Sequence, residues 1–207
     1  MTSDRYRKLF VCVIVLCFLI SVFTISFSFF YTSVRGNKGV STESARLGLA
    51  LNVEKITSDV TLGLMPLLDS DLQSAIKGSS NGSCLDSLNI GRCQIYKVEL
   101  FNTGNVTSTI TGTLELNPIG SSVFNNLKWA EIRNMTDASL FGSSRLYNEK
   151  SWKNNYVMGP ESKSTFYVVV WISDTGKIQN DEDKGSFTGT IMFNTTTGVG
   201  TSSTFVG

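Results

Sequence analysis

The chain has 207 residues, with 18 basic and 17 acidic side chains, a formal net charge of +1, 41% hydrophobic residues, four cysteines and no histidine. Both signs of charge are mixed along its length, which leaves no field to attract nucleic acid or an acidic substrate. The absence of histidine removes the commonest general base, the Ser-His and Cys-His nucleophile pairs and the usual zinc ligand, so enzymatic readings begin with few chemical groups to work with.

Leu9 to Tyr31 is an uncharged apolar run of 23 residues preceded by Arg5, Arg7 and Lys8. As a helix it would be about 35 Å long, enough to cross a hydrocarbon core of about 30 Å. The basic cluster places residues 1–8 in the cytoplasm and the rest of the chain outside, by the positive-inside bias. Two fates stay open: a retained single-pass anchor over 9–31, or a signal segment cleaved near the small residues Ser26 and Ser28. Residues 32–44 are rich in Ser, Thr, Gly and Asn and read as a stalk or an unpaired strand.

From residue 45 the pattern changes. Leu47, Leu49, Leu51 and Val53 alternate with polar positions, the period of a half-buried strand. The stretch LMPLLDSDLQSAIKG supplies one short helix, with Ser70 as N-cap, Gln73 as its capping-box partner and Gly78 as the stop. Gln94 to Phe101 puts Tyr96, Val98 and Leu100 on one face. The Asn102-Thr-Gly-Asn105 turn then leads to a second alternating run over 106–117, which predicts a hairpin with Gly104 at positive φ. A less regular middle holds one strand around Leu127, Trp129 and Ile132.

Ser164 to Ser173 is apolar on both faces, which predicts a central strand covered on both sides, with Ser186 to Asn194 as its partner and Gly189 as a bulge or close approach. Residues 195–207 read as a polar C-terminal tail, frayed or added at a sheet edge. The predicted fold is all-β: a jelly-roll or Ig-like antiparallel sandwich over 45–194 with one short helix, preceded by the transmembrane or signal helix.

Few residues carry chemistry. Cys12 and Cys17 lie in the apolar run, whereas Cys84 and Cys93 sit in the exported part and predict a disulfide stabilising by a little under ~3 kcal/mol. Asp174, Asp181, Glu182 and Asp183 are the one carboxylate cluster. Calcium would suit such oxygens, while the non-EF-hand spacing and the flanking Lys177 and Lys184 favour a solvated loop. Four sequons begin at Asn81, Asn105, Asn134 and Asn194 and would accept glycans in a cell that glycosylates them. No cofactor motif and no small-molecule substrate site is legible.

The order of four features resembles the camelysin and TasA-like secreted proteins of Gram-positive bacteria. They are the export segment ending in Phe29-Phe-Tyr-Thr-Ser33, the strand and turn from Cys93 to Gly104, the strand Thr165 to Trp171, and the segment Asn180 to Ile191. The resemblance implies a jelly-roll-like sandwich at the cell surface and, for the TasA branch, matrix fibres in which an N-terminal segment fills a strand position in the next subunit. That donor would include Phe29, Tyr31, Val34 and Val40. The camelysin branch carries a metalloprotease label, for which these residues offer no histidine ligand. The expectation is a non-enzymatic surface or matrix protein that engages the membrane through its N-terminal helix, and itself or other surface proteins through its sandwich. A membrane-tethered Ig-like binding module, using Trp129, Tyr147, Trp152 and Tyr156, is the alternative.

Overall fold

The computed structural model describes residues 45–58, 64–78, 82–120, 122–179, 181–182 and 185–207. All belong to one compact unit, Ala45–Gly207. The predicted segments 1–8, 9–31 and 32–44, with Phe29, Tyr31, Val34 and Val40, lie outside the described residues, as does Asp183. No helix among the described residues is long and apolar enough to cross a membrane.

In chain order the strands are β1 (Leu49–Lys55), β2 (Gln94–Asn102), β3 (Ser108–Pro118), β4 (Leu127–Ile132), β5 (Arg145–Leu146), β6 (Ser151–Met158), β7 (Lys163–Ile172), β8 (Phe187–Thr195) and β9 (Gly200–Val206). They form a five-stranded sheet in the order β1-β2-β7-β4-β5 and a four-stranded sheet in the order β6-β3-β8-β9. Every pairing between named strands is antiparallel. The result is a β-sandwich, as the alternating sequence patterns predict.

The period-2 patterns explain which residues meet. Tyr96, Val98, Leu100, Phe166, Val168 and Val170 of the five-stranded sheet face Ile110, Leu114, Phe187, Ile191 and Phe193 of the four-stranded sheet in one buried core. Trp152 stands at its centre, with ring centroids 5.3 Å from Phe193, 5.5 Å from Phe166 and 6.3 Å from Trp129. The alternate residues Ile95, Val169 and Trp171 build a second core on the other face. There α1 (Leu72–Lys77) and the disulfide Cys84–Cys93 cover the sheet. From Val168 to Ile172 β7 is thus buried on both sides, the reason this stretch has no polar face.

Several local expectations differ from the structure. The helix starts at Leu72 after a 3-10 turn over Asp69–Asp71, and Ser70 Oγ bonds Asp71 Oδ1 at 3.1 Å instead of capping it. The nearby Asp69 carboxylate holds this layer to the sheet: it accepts from Trp171 Nε1 at 2.9 Å, Ser173 Oγ at 2.8 Å and Lys128 Nζ at 2.6 Å. Burial pushes its pKa up, and these donors outweigh that, so the carboxyl sits below its ordinary value. β6, hidden in the irregular middle, runs with a polar stretch through Asn154 and Asn155 and a shifted register against β3. Its period-2 signal is broken by that irregularity. Finally, the segment 195–207 contains β9, so the sandwich extends past residue 194.

The largest correction concerns pairing. β2 and β3 lie in different sheets, and so do β7 and β8; neither pair is a hairpin. Asn102, 1% exposed, explains the first. Its Nδ2 donates to Val106 O at 2.9 Å and Gly159 O at 2.7 Å, and its Oδ1 accepts from Gly104 N at 3.0 Å. One side chain therefore binds the β2–β3 corner to the neighbouring β6–β7 corner. Gly104 is needed for closeness instead of positive φ, because a Cβ there would collide with the carbonyl oxygen of Arg46. Replacing Asn102 by Ala strands these backbone groups and is expected to lower unfolding free energy by about 2–3 kcal/mol, measured by urea denaturation.

Candidate functional site

The residues singled out from sequence do not converge on one place. Cys84 and Cys93 form the disulfide, with their Cα atoms 4.9 Å apart. Glu182, 3% exposed, accepts from Asn126 N at 3.0 Å and from Asn126 Nδ2 at 2.7 Å, which ties the β7–β8 loop to the β3–β4 loop. Asp174 Oδ1 instead caps its own turn, accepting from Gly176 N at 2.7 Å. Among the described residues no group of three or more His, Cys, Asp or Glu side chains stands together as a metal site. Trp129 and Trp152 are buried in the core and Tyr147 and Tyr156 pack against it, so this quartet does not make the exposed aromatic surface of the alternative reading.

A depression of about 430 Å³ lies between α1 and the disulfide loop, lined in part by Pro66, Ser74, Asp86, Arg92 and Asp174. Its one basic group is committed: Arg92 pairs with Asp86 at 2.8 Å and donates to Pro66 O at 3.1 Å.

A different kind of site lies along one flank, where β1 and β9 are the outermost strands of their sheets. In an antiparallel ladder, alternate residues turn their backbone groups toward the partner. Phe187 and Gly207 exchange both backbone hydrogen bonds, and Thr195 N donates to Val199 O, so the odd-numbered residues of β9 bond β8. The N–H and C=O groups of Gly200, Ser202, Thr204 and Val206 consequently turn away from β8, and the Val206 carbonyl accepts from the Tyr96 hydroxyl at 3.3 Å. On β1, Thr103 N donates to Gly48 O and Ile56 N to Ile95 O, so Leu49, Leu51, Val53 and Lys55 face away.

The two edges differ in protection. β1 carries Glu54 and Lys55, and the adjoining outer face carries a charged ladder in which Glu99 lies 2.7 Å from both Lys97 and Lys163. β9 reads GTSSTFV, with no charge, no proline and a continuous register against β8. Charges, prolines and bulges are what ordinarily blunt an edge strand against pairing with another chain, and β9 carries none of them. β9 is seated by Phe205, whose ring lies 4.0 Å from that of Tyr96 and fills the space left by Gly189; any Cβ at that position would strike it. Gly189 is thus a close approach in a continuous strand. The sequence signal for this edge was present, as alternating Thr201, Ser203 and Phe205, but too weakly apolar to separate a strand from a frayed tail.

No family model and no curated protein matches the chain. Among solved structures it is similar to the FixG-related protein from Vibrio parahaemolyticus, with a TM-score of 0.33 and 8% identity over 76% of this chain and 94% of that one.

The charged ladder gives a pH prediction. Hydrogen bonds from Lys163 and then Lys97 hold the Glu99 carboxyl at about 2, below its ordinary 4.5. Because the folded value is depressed, the stabilisation is fully present above pH 4.5 and is lost as pH falls through about 2. NMR titration is expected to give a Glu99 midpoint near that value, and Lys163→Met is expected to raise it.

Proposed function

We propose that this chain is an exported, non-enzymatic structural protein of the cell surface or extracellular matrix, a fibre subunit that associates by strand addition along β9, the last strand of its sheet. The observation that carries the reading is the outward backbone row of Gly200, Ser202 and Thr204 on an uncharged, proline-free strand. An extended segment laid there gains a ladder of backbone hydrogen bonds, which supplies affinity without a pocket. The disulfide supports export to an oxidising compartment. The apolar run Leu9 to Tyr31 supports delivery by a signal or anchor helix. Five strand connections that cross between the sheets, β2–β3, β3–β4, β5–β6, β6–β7 and β7–β8, support a jelly-roll-like arrangement. The donor is the segment 29–45 of a neighbouring copy.

Proline scanning of β9 tests this directly. Ser202→Pro removes an N–H that points away from β8, and edge strands tolerate proline in that orientation. It should leave the fold and disulfide intact while abolishing filaments in negative-stain micrographs of the full chain and leaving monomer on size exclusion. Ser203→Pro removes an N–H aimed at Ile191 and should instead destabilise the sandwich by roughly 3 kcal/mol or more. A wild-type chain, with its mature N-terminus established by mass spectrometry, that stays monomeric at all concentrations would refute the fibre reading.

A further inference from the structure

We infer that Glu131 and Lys153 are built to condense into an intramolecular amide bond that covalently joins the two sheets. Glu131 belongs to β4 of the five-stranded sheet and Lys153 to β6 of the four-stranded sheet. Their side chains are 10% and 12% exposed, the most enclosed of the ion pairs among the described residues. Lys153 Nζ lies 2.9 Å from Oε1 and 2.7 Å from Oε2, so the nitrogen straddles the carboxylate and is held next to the carbon it would have to reach.

The surroundings favour that step. Trp152 Nε1 donates to Glu131 Oε2 at 2.8 Å and is placed to stabilise charge developing on that oxygen as the carbon becomes tetrahedral. The lysine head is walled by aromatic rings, with Nζ 4.4 Å from the Phe166 centroid, 5.2 Å from Phe141 and 5.5 Å from Tyr156. These rings limit the water that would reverse the reaction. In the step, Nζ bonds to Cδ of Glu131 and the Cδ–Oε1 bond breaks. Two protons from the ammonium leave with that oxygen as water, so ammonium and carboxylate give a neutral amide plus water, with no oxidant, reductant or other reactant.

A bond here would do what the existing disulfide does not. Cys84–Cys93 closes a short loop on one face, whereas Glu131–Lys153 would close a loop spanning both sheets. For a protein that transmits force along a fibre, such a link would hold the sandwich shut.

Peptide mapping of the full wild-type chain, purified folded and then reduced and denatured, decides the matter. The expected product is a branched tryptic peptide in which Trp129–Arg133 is joined to Ser151–Lys163, lighter by one water than its two parts, with cleavage after Lys153 lost. Lys153→Arg keeps the cation but forms no such bond, and its intact mass should exceed that expected from the wild type by one water beyond the substitution itself. The pairs Lys97–Glu99 and Lys150–Glu115, which are more exposed, should yield only linear peptides and serve as internal controls. Recovery of linear Trp129–Arg133 and Ser151–Lys153 without the branched species would overturn the inference, whether or not the arginine variant folds.

Discussion

The arrangement of the sandwich depends on how its corners are held, and the buried amide of Asn102 is the clearest instance. A strand leaving one sheet for the other must break its ladder, and the backbone groups released there need partners away from water. Asn102 supplies both a donor and an acceptor at one point, and reaches carbonyls on its own corner and on the adjacent β6–β7 corner. Two chain reversals distant in sequence are thereby made into one unit. At the opposite pole Glu182 and Asn126 repeat the device, with the carboxylate of one loop taking two donors from the other.

Between these poles the five-stranded sheet is the middle layer, and this sets the character of the two edges. Its outer face is divided between the α1 and disulfide layer and a solvated charged ladder. Among the described residues the four-stranded sheet has no comparable cover, and its last strand carries neither charges nor proline. Edge protection is therefore uneven: β1 lies beside charged side chains, while β9 presents hydroxyl side chains and a row of backbone groups turned away from β8. Thr and Ser keep such an edge soluble while leaving its hydrogen-bonding groups available. This asymmetry, more than any pocket, distinguishes one surface of the molecule from the others.

The electrostatics have the same inter-element logic. Asp69 fixes the helical layer to Trp171 and Lys128, and Glu131 meets Lys153 across the sheet boundary. Asp69 reinforces the backbone bridge between Leu67 and Ser173, while Glu131 joins strands that no backbone ladder connects. A buried charge with a single good partner is held strongly in place, since either member alone would be left desolvated and unpaired. That constraint holds β4 against β6 at the side of the sandwich opposite β9.

Sequence patterns alone determined β1, β2, β3, β4, β7 and β8, the short helix ending at Gly78 and the Cys84–Cys93 pairing, because each is set by local periodicity or by a single pair of thiols. Pairing was not legible in the same way. The Asn102-Thr-Gly-Asn105 sequence has hairpin composition, and only the tertiary contacts of Asn102 with Gly159 make it a corner between sheets. The same holds for the tail: alternation in Gly200–Val206 is too polar to announce a strand, and it becomes one because Phe205 finds the gap over Gly189 and packs on Tyr96. Periodicity reports which face of a strand is dry. It does not report which neighbour dries it, since that is decided by side chains brought together from far apart in the chain.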